Sequence, residues 1–286
     1  MKRFALFLGC TIPYHLKSYE SSSRAVLGKL GVILLDIPEF NCCGYSLRNK
    51  NFKAFLLCSA RNLALAERKG LNIMTLCSCG YGSLKKAVHI LREDPSLKDE
   101  INVVLSKEGL RYEGKIEVMH LLTVLYNEIG LKAIKENITI PYKDLKVATH
   151  YGCHALRPSK IVQFDDAFSP TLFDELVNIT GAKSIDWPSK LECCGAPLLG
   201  INSELSFDLT KKKFEGAKRA GAHCLTNACS FCQIQFDAFQ RKIKDYQVPS
   251  ILYPQLLGLC MGLDERVLGL DRRQIEIKDF LTIKNT

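Results

Sequence analysis

The sequence predicts an α/β protein made of two pseudo-symmetric units, each a small, largely parallel sheet flanked by helices. Three observations predict it. The chain repeats itself, apolar strands alternate with helical stretches inside each repeat, and a CCG tripeptide falls at the same place in both. FLGC at Phe7–Cys10 is matched by HYGC at His150–Cys153, and LLDIPEFNCCG at Leu34–Gly44 by SIDWPSKLECCG at Ser184–Gly195. GLNIMTLCSCGYGSLKKA from Gly70 is matched by GAHCLTNACSFCQIQFDA from Gly221. The expected boundary is the stretch Ile140-Pro141-Tyr142-Lys143, giving a first CCG unit with additional helices over 1–140 and a second over 141–286.

Each element follows from local pattern. An apolar strand (Phe4–Leu8; Val147–Tyr151) ends at a cysteine, and a helix follows (Tyr19–Leu30; Pro170–Thr180). A short strand (Val32–Leu35; Lys183–Ile185) leads into the CCG loop. The next helix (Phe52–Lys69; Glu204–Ala220) stops at Gly70 or Gly221. A further strand (Asn72–Leu76; Cys224–Thr226) runs into the last cysteines, where a helix opens with Leu84, Ala87, Val88 and Leu91 at helical spacing. The first unit carries an extension: a helix over Pro95–Gly109, an additional strand over Ile116–His120 and a helix over Leu121–Glu128. Ser250–Gly262 reads as a closing strand and an apolar helix, for the core or for contact between subunits. Such a layout puts the cysteines at the carboxyl ends of strands and at helix starts, where open α/β sheets bind ligands.

At 286 residues, 47% of them apolar, the chain can bury a sizeable core. No apolar run approaches the ~20 residues that span a bilayer. The start, MKRFALFLGC, reads as a buried first strand rather than an export signal, so the expectation is a soluble, cytoplasmic protein with no membrane span. The formal charge of +9 raises nucleic acid as a partner. The basic residues are scattered without an aromatic platform, so nucleic acid is not expected. Lys211-Lys212-Lys213 and Arg272-Arg273 read as solvated helix faces. A basic field would also offset negative thiolate clusters and attract anionic substrates or acidic partners.

Thirteen cysteines in a long chain with ample core residues point to reduced thiolates holding metal rather than to disulfides. Cys10 is followed after 31 residues by Cys42-Cys43, then after 33 by Cys77-x-Cys79. Cys153 is followed after 39 residues by Cys193-Cys194, then after 34 by Cys229-x-x-Cys232. A structural zinc site or a cubane cluster needs four ligands, and five exceeds either. Adjacent cysteines bound to different irons of one unusually shaped cluster would account for both oddities. An internal disulfide, or an ordinary zinc or cubane site with one bystander thiol, stays open on spacing alone. Cys58, Cys224 and Cys260 lie in apolar contexts and read as core.

The duplicated cysteine pattern, with FLGCTIP, ARNLALAERKG, HYGCHALRPS, ECCGAP and CSFCQIQFDAFQ, resembles the CCG repeats of the B subunit of heterodisulfide reductase over nearly the whole chain. The resemblance implies five-cysteine noncubane 4Fe-4S clusters. One would be held by Cys153, Cys193, Cys194, Cys229 and Cys232, and another by Cys10, Cys42, Cys43, Cys77 and Cys79. Here Cys79 stands one place before the position the family pattern marks, which is Gly80. The resemblance also implies cleavage of a disulfide between the clusters. Electrons would come from a cubane-cluster electron-transfer partner, like that family's C subunit, fed by a flavin partner, like its A subunit. Heterodisulfide-reductase-like complexes of sulfur oxidisers, which act on sulfur carried by a lipoyl protein, are similar as well. A non-catalytic electron-transfer or zinc-stabilised scaffold protein is the reading from outside the enzymes.

His154, next to Cys153, is the candidate proton donor to a leaving thiolate, while His150 reads as structural. Arg157, Lys160 and Lys17 are candidates for pairing an anionic substrate group. Gly44, Gly195, Pro158 and Pro197 are expected to shape the loops around the metal sites.

Overall fold

The computed structural model describes residues 1–242 and 248–270; the basic pair Arg272-Arg273 and the rest of 271–286 lie outside them. Two four-stranded sheets form its frame. The first contains β1 (Arg3–Phe7), β2 (Ile33–Leu35), β3 (Ile73–Thr75) and β4 (Val118–His120) in the order β2-β1-β3-β4. The second contains β5 (Lys146–His150), β6 (Lys183–Ile185), β7 (Cys224–Asn227) and β8 (Ser250–Leu252) in the order β6-β5-β7-β8. Every pairing among them is parallel. Parallel strands require crossover connections, and the helices that supply them cover the sheet faces.

The two sheets have the same order, so β4 and β8 are counterparts. The stretch Ile116–His120, expected as an addition peculiar to the first unit, is therefore the edge strand that both units share. The long helices Phe52–Arg68 and Ser203–Arg219 match in their caps. Asn51 Oδ1 accepts from Ala54 N, and Asn202 Oδ1 accepts from Leu205 N, each at 3.0 Å. Gly70 and Gly221, at φ +63° and +77°, end them. The predicted helix over Leu121–Glu128 is only partly regular. A single α-turn at Leu121–Thr123 widens into a π-helical segment over Val124–Ile129, and Gly130 at φ +86° closes it. From that segment the Tyr126 hydroxyl donates to Glu175 Oε2 across the units at 2.7 Å.

One continuous core runs through both halves. The apolar helix Tyr253–Cys260 packs on the helix Lys17–Lys29, and Lys29 Nζ donates to the Met261 carbonyl. A second buried cluster gathers Cys77 and Cys79 of the first unit with Cys194, Cys229 and Cys232 of the second. The cysteine-bearing ends of the two sheets thus face one another.

Candidate metal centre

The two CCG turns are built alike. Gly44 and Gly195 sit at φ +80° and +89°, and a Cβ on Gly44 would lie 2.9 Å from the Phe55 carbonyl oxygen while one on Gly195 would collide with that of Ser206. Only glycine combines that backbone conformation with such close approach to the supporting helix. The helix then holds the turn through a hydroxyl. Ser59 Oγ donates to the Cys43 carbonyl at 2.7 Å, and Thr210 Oγ1 donates to the Cys194 carbonyl at 2.8 Å.

Cys10, Cys42, Cys43, Cys77 and Cys79 all line one cavity of about 70 Å³. The Cys10 and Cys42 sulfurs are 3.9 Å apart. In the second unit Cys194 and Cys232 present their sulfurs with His150, the three ligand atoms lying within 4.8 Å of one another. His150 Nε2 is 3.2 Å from Cys232 Sγ, and burial holds its ring neutral. Cys153 and Cys193 interact directly through their side chains. Cys229 interacts with Cys232 and, across the units, with Cys77 and Cys79, so the two sets touch.

Protonation divides each vicinal pair in the same way. Cys42 is pushed down to about 5, chiefly because the Cys43 thiol donates to it; the Gly44 N–H and Cys10 add to the effect, and burial opposes it. Cys193 is held far below the ordinary thiol range by donation from Cys153 and Cys194, with help from the Gly195 N–H at 3.4 Å. The donating partners rise, Cys194 to about 12. The first cysteine of each pair is thus a ready thiolate, the form in which sulfur binds metal.

His154 lies between the sets. Its Nδ1 is 3.5 Å from Cys79 Sγ and 3.6 Å from Cys153 Sγ. Its Nε2 faces the Tyr45 hydroxyl at 3.3 Å and Arg48 at 3.4 Å. Burial lowers the pKa of the imidazole, which favours the neutral ring. A guanidinium can only donate, so Nε2 accepts and the single proton sits on Nδ1, directed at sulfur. Arg48 also stacks over the Tyr45 ring at 4.5 Å.

Tyr45 and Arg48 carry no signal of their own in the sequence, although they follow CCG directly and the matching positions of the second unit, Ala196 and Leu199, have neither ring nor charge. The cationic candidates Arg157, Lys160 and Lys17 are all exposed, and Arg157 is spent on the Leu191 carbonyl at 3.2 Å. Lys213, expected on a solvated basic face, is fully buried, because it shares a helical stripe with Ser206, Thr210, Phe214 and Ala217. Cys224 and Cys260 lie in the core, whereas Cys58, expected there too, is half-buried against the CCG turn, 3.1 Å from the Cβ position at Gly44.

The donors fit an iron–sulfur group. They are soft sulfur donors free of disulfides, five to a unit, on turns whose glycines leave room for close approach. The Tyr19 hydroxyl, fully buried, has no hydrogen-bond partner among the described residues and lies in the field of Cys229, Cys77 and Cys232. Ser78 Oγ, between Cys77 and Cys79 in the chain, is buried and likewise unpartnered among the described residues. Polar hydrogens left without acceptors beside thiolates suit a site completed by inorganic sulfide.

The family model of the CCG cysteine-rich domain matches twice, over residues 4–85 and 147–237. The chain is 38% identical over 290 residues to the B subunit of the ferredoxin/F(420)H(2)-dependent CoB-CoM heterodisulfide reductase of Methanosarcina acetivorans, covering 98% of this chain and 96% of that one. It is 35% identical to a protein of Archaeoglobus profundus described as like the heterodisulfide reductase B subunit, covering 94% of each. It is also 34% identical to the 8-methylmenaquinol:fumarate reductase membrane anchor subunit of Wolinella succinogenes, covering 96% of this chain and 98% of that one. A hypothetical protein from Helicobacter pylori shares the fold in its crystal structure, with a TM-score of 0.75 at 22% identity. The match covers 96% of this chain and 53% of that one. Among the described residues no helix is long and apolar enough to cross a membrane.

Proposed function

The chain belongs to the family of heterodisulfide reductase B subunits, with the CCG domain in two copies, and from that premise we propose that it is the catalytic iron–sulfur subunit of a heterodisulfide reductase-type complex. The observation that carries this reading is the meeting of two five-cysteine sets across His154, whose Nδ1 lies within hydrogen-bonding reach of a sulfur from each. In it, Cys10, Cys42, Cys43, Cys77 and Cys79 hold one noncubane 4Fe-4S cluster. Cys153, Cys193, Cys194, Cys229 and Cys232 hold the other, with the units divided at 140/141.

Such clusters, when bound, would supply the two electrons singly from either side of a substrate disulfide. The net reaction takes one disulfide, two electrons and two protons to two thiols. This chain's part is to hold the thiolates, exclude water and deliver a proton. His154 donates from Nδ1 to a leaving thiolate, and Tyr45 and Arg48 hold the ring in that tautomer. Arg48 also brings a positive charge to the gap, which suits an anionic disulfide.

Electrons would come from a cubane-cluster partner and, behind it, a flavin partner, in the cytoplasm. The Wolinella relative carries the name of a fumarate reductase component, so two CCG units alone do not specify the oxidant or the reductant. A lipoyl-bound sulfur is the alternative substrate, supported by the net charge of +9, which would draw an acidic carrier protein.

Anaerobically prepared protein tests the reading. A brown, iron-containing chain whose paramagnetic signal changes on adding a thiol substrate is expected. A chain holding zinc, or a signal indifferent to thiols, overturns catalysis here. Copurification with a lipoyl protein would select the alternative substrate.

A further inference from the structure

Lys213 is 0% exposed, on the inner stripe of the helix Ser203–Arg219. Its ammonium donates to the Ser189 carbonyl and lies 5.2 Å over the Trp187 ring. Glu192, a carboxylate whose field reaches it, is already engaged by Lys212 at 3.1 Å. An ammonium taken out of water needs opposite charge to offset its lost hydration. Thr210, three residues earlier on the same stripe, holds the Cys194 carbonyl. Cys194, Cys232, Glu192 and Cys193 act on Lys213 against burial, which still lowers its pKa to about 8 and leaves the ammonium predominant at neutral pH. Metal binding would make these sulfurs thiolates.

The first unit lacks this feature. The two helices align through Asn51 with Asn202 and through Ser59 with Thr210, which hold equivalent carbonyls of the two CCG turns. The same register sets Asn62 opposite Lys213. Asn62 is buried but neutral, and its amide is spent on the CCG loop and its own helix: Oδ1 accepts from Asn41 N at 2.9 Å, and Nδ2 donates to the Cys58 carbonyl at 3.0 Å and to those of Asn41 and Cys42 at 3.3 Å. The second set therefore has a fully buried positive charge with no counterpart in the first, whereas the half-buried Arg48 lies on His154 in the gap that both sets face.

We propose that Lys213 is the fixed counter-charge of the second metal centre and sets its reduction potential above that of the first. This rests on the iron–sulfur reading above. Net local charge and burial are main determinants of a cluster's potential, because a nearby cation favours the more negative, reduced state. A compact ammonium in a dry setting acts with little screening. The asymmetry gives the pair of centres a direction: an electron shared between them rests on the second.

The test is an EPR-monitored redox titration of the full chain, loaded anaerobically with iron and sulfide, comparing wild type with Lys213→Met, Lys213→Gln and Lys213→Arg. Wild type is expected to show two waves, the upper one assigned to the second centre by its survival in a C10S/C42S chain. Lys213→Met or Lys213→Gln should move the upper wave down by at least a tenfold change in the reduced-to-oxidised ratio, about 59 mV for one electron, and leave the lower wave in place. Lys213→Arg should keep the wild-type value. If Lys213→Met does not fold, the Gln and Arg pair makes the same comparison. An upper wave unmoved in a neutral variant with both centres loaded, or both waves moving together, overturns the assignment of Lys213 alone. A chain that binds no iron overturns the iron–sulfur reading and takes this inference with it.

Discussion

The position of a single proton on His154 decides what this side chain can do. Arg48 and Tyr45 both approach Nε2, which leaves Nδ1 to donate toward Cys79 and Cys153. His154→Gln should retain both metal centres and slow disulfide reduction by about a hundred- to ten-thousand-fold, the usual worth of a positioned acid; equal turnover at equal iron content would contradict this role. Cys42 makes a second prediction at this scale. Its pKa lies near 5 in the metal-free fold, so its alkylation by iodoacetamide should rise through pH 5 and be flat by neutrality, where an ordinary thiol rises through about 8.5. A folded-state pKa below the unfolded one gives stabilisation that is complete above the unfolded value and fades as pH falls toward 5. A rate profile rising only above pH 8, read by mass spectrometry of the Cys42 peptide, would refute the depressed pKa.

The CCG turn and its supporting helix are the working element, and both copies use the same devices. Gly195→Ala forces a side chain onto φ +89° and against the Ser206 carbonyl, a cost of about 1–3 kcal/mol. Thr210→Val leaves the Cys194 carbonyl without its hydroxyl donor, for about 1–3 kcal/mol. Chemical denaturation and iron content should show both variants losing the second centre before the first; equal loss from both would contradict the turn's local role. At this scale much is legible in the sequence. Apolar runs ending at cysteines mark β1 and β5, Gly70 and Gly221 mark helix ends, and the duplicated order implies matching sheets. Other features are hidden because their cause is tertiary. The π-helical segment Val124–Ile129 has the composition of an ordinary helix. Lys213 looks solvated by residue type, though the stripe through Thr210, Phe214 and Ala217 holds the signal of its burial. Tyr45 and Arg48 gain meaning only when the second unit brings His154 to them.

Taken whole, the two units form one body rather than beads on a linker. The helix Tyr253–Cys260 packs on Lys17–Lys29, and His120 of the first unit reaches the Ala228 carbonyl, next to Cys229, at 3.1 Å. Burial drives the His120 pKa down to about 4, so this tie stays neutral and intact across the physiological range. Leu257→Ala, fully buried on the helix that packs across the units, should cost about 2–5 kcal/mol and shift one unfolding transition rather than split it in two. Two separated transitions in the variant or the wild type would show that the halves fold independently. Convergence of the two cysteine sets depends on this union, because Cys77 and Cys79 meet Cys229 only across it. The most direct measurement of the central claim is iron and acid-labile sulfide per chain in anaerobically prepared protein. Equal amounts, about four of each per unit, are predicted for polynuclear centres shared by the adjacent cysteines. One zinc per unit with no sulfide would contradict it.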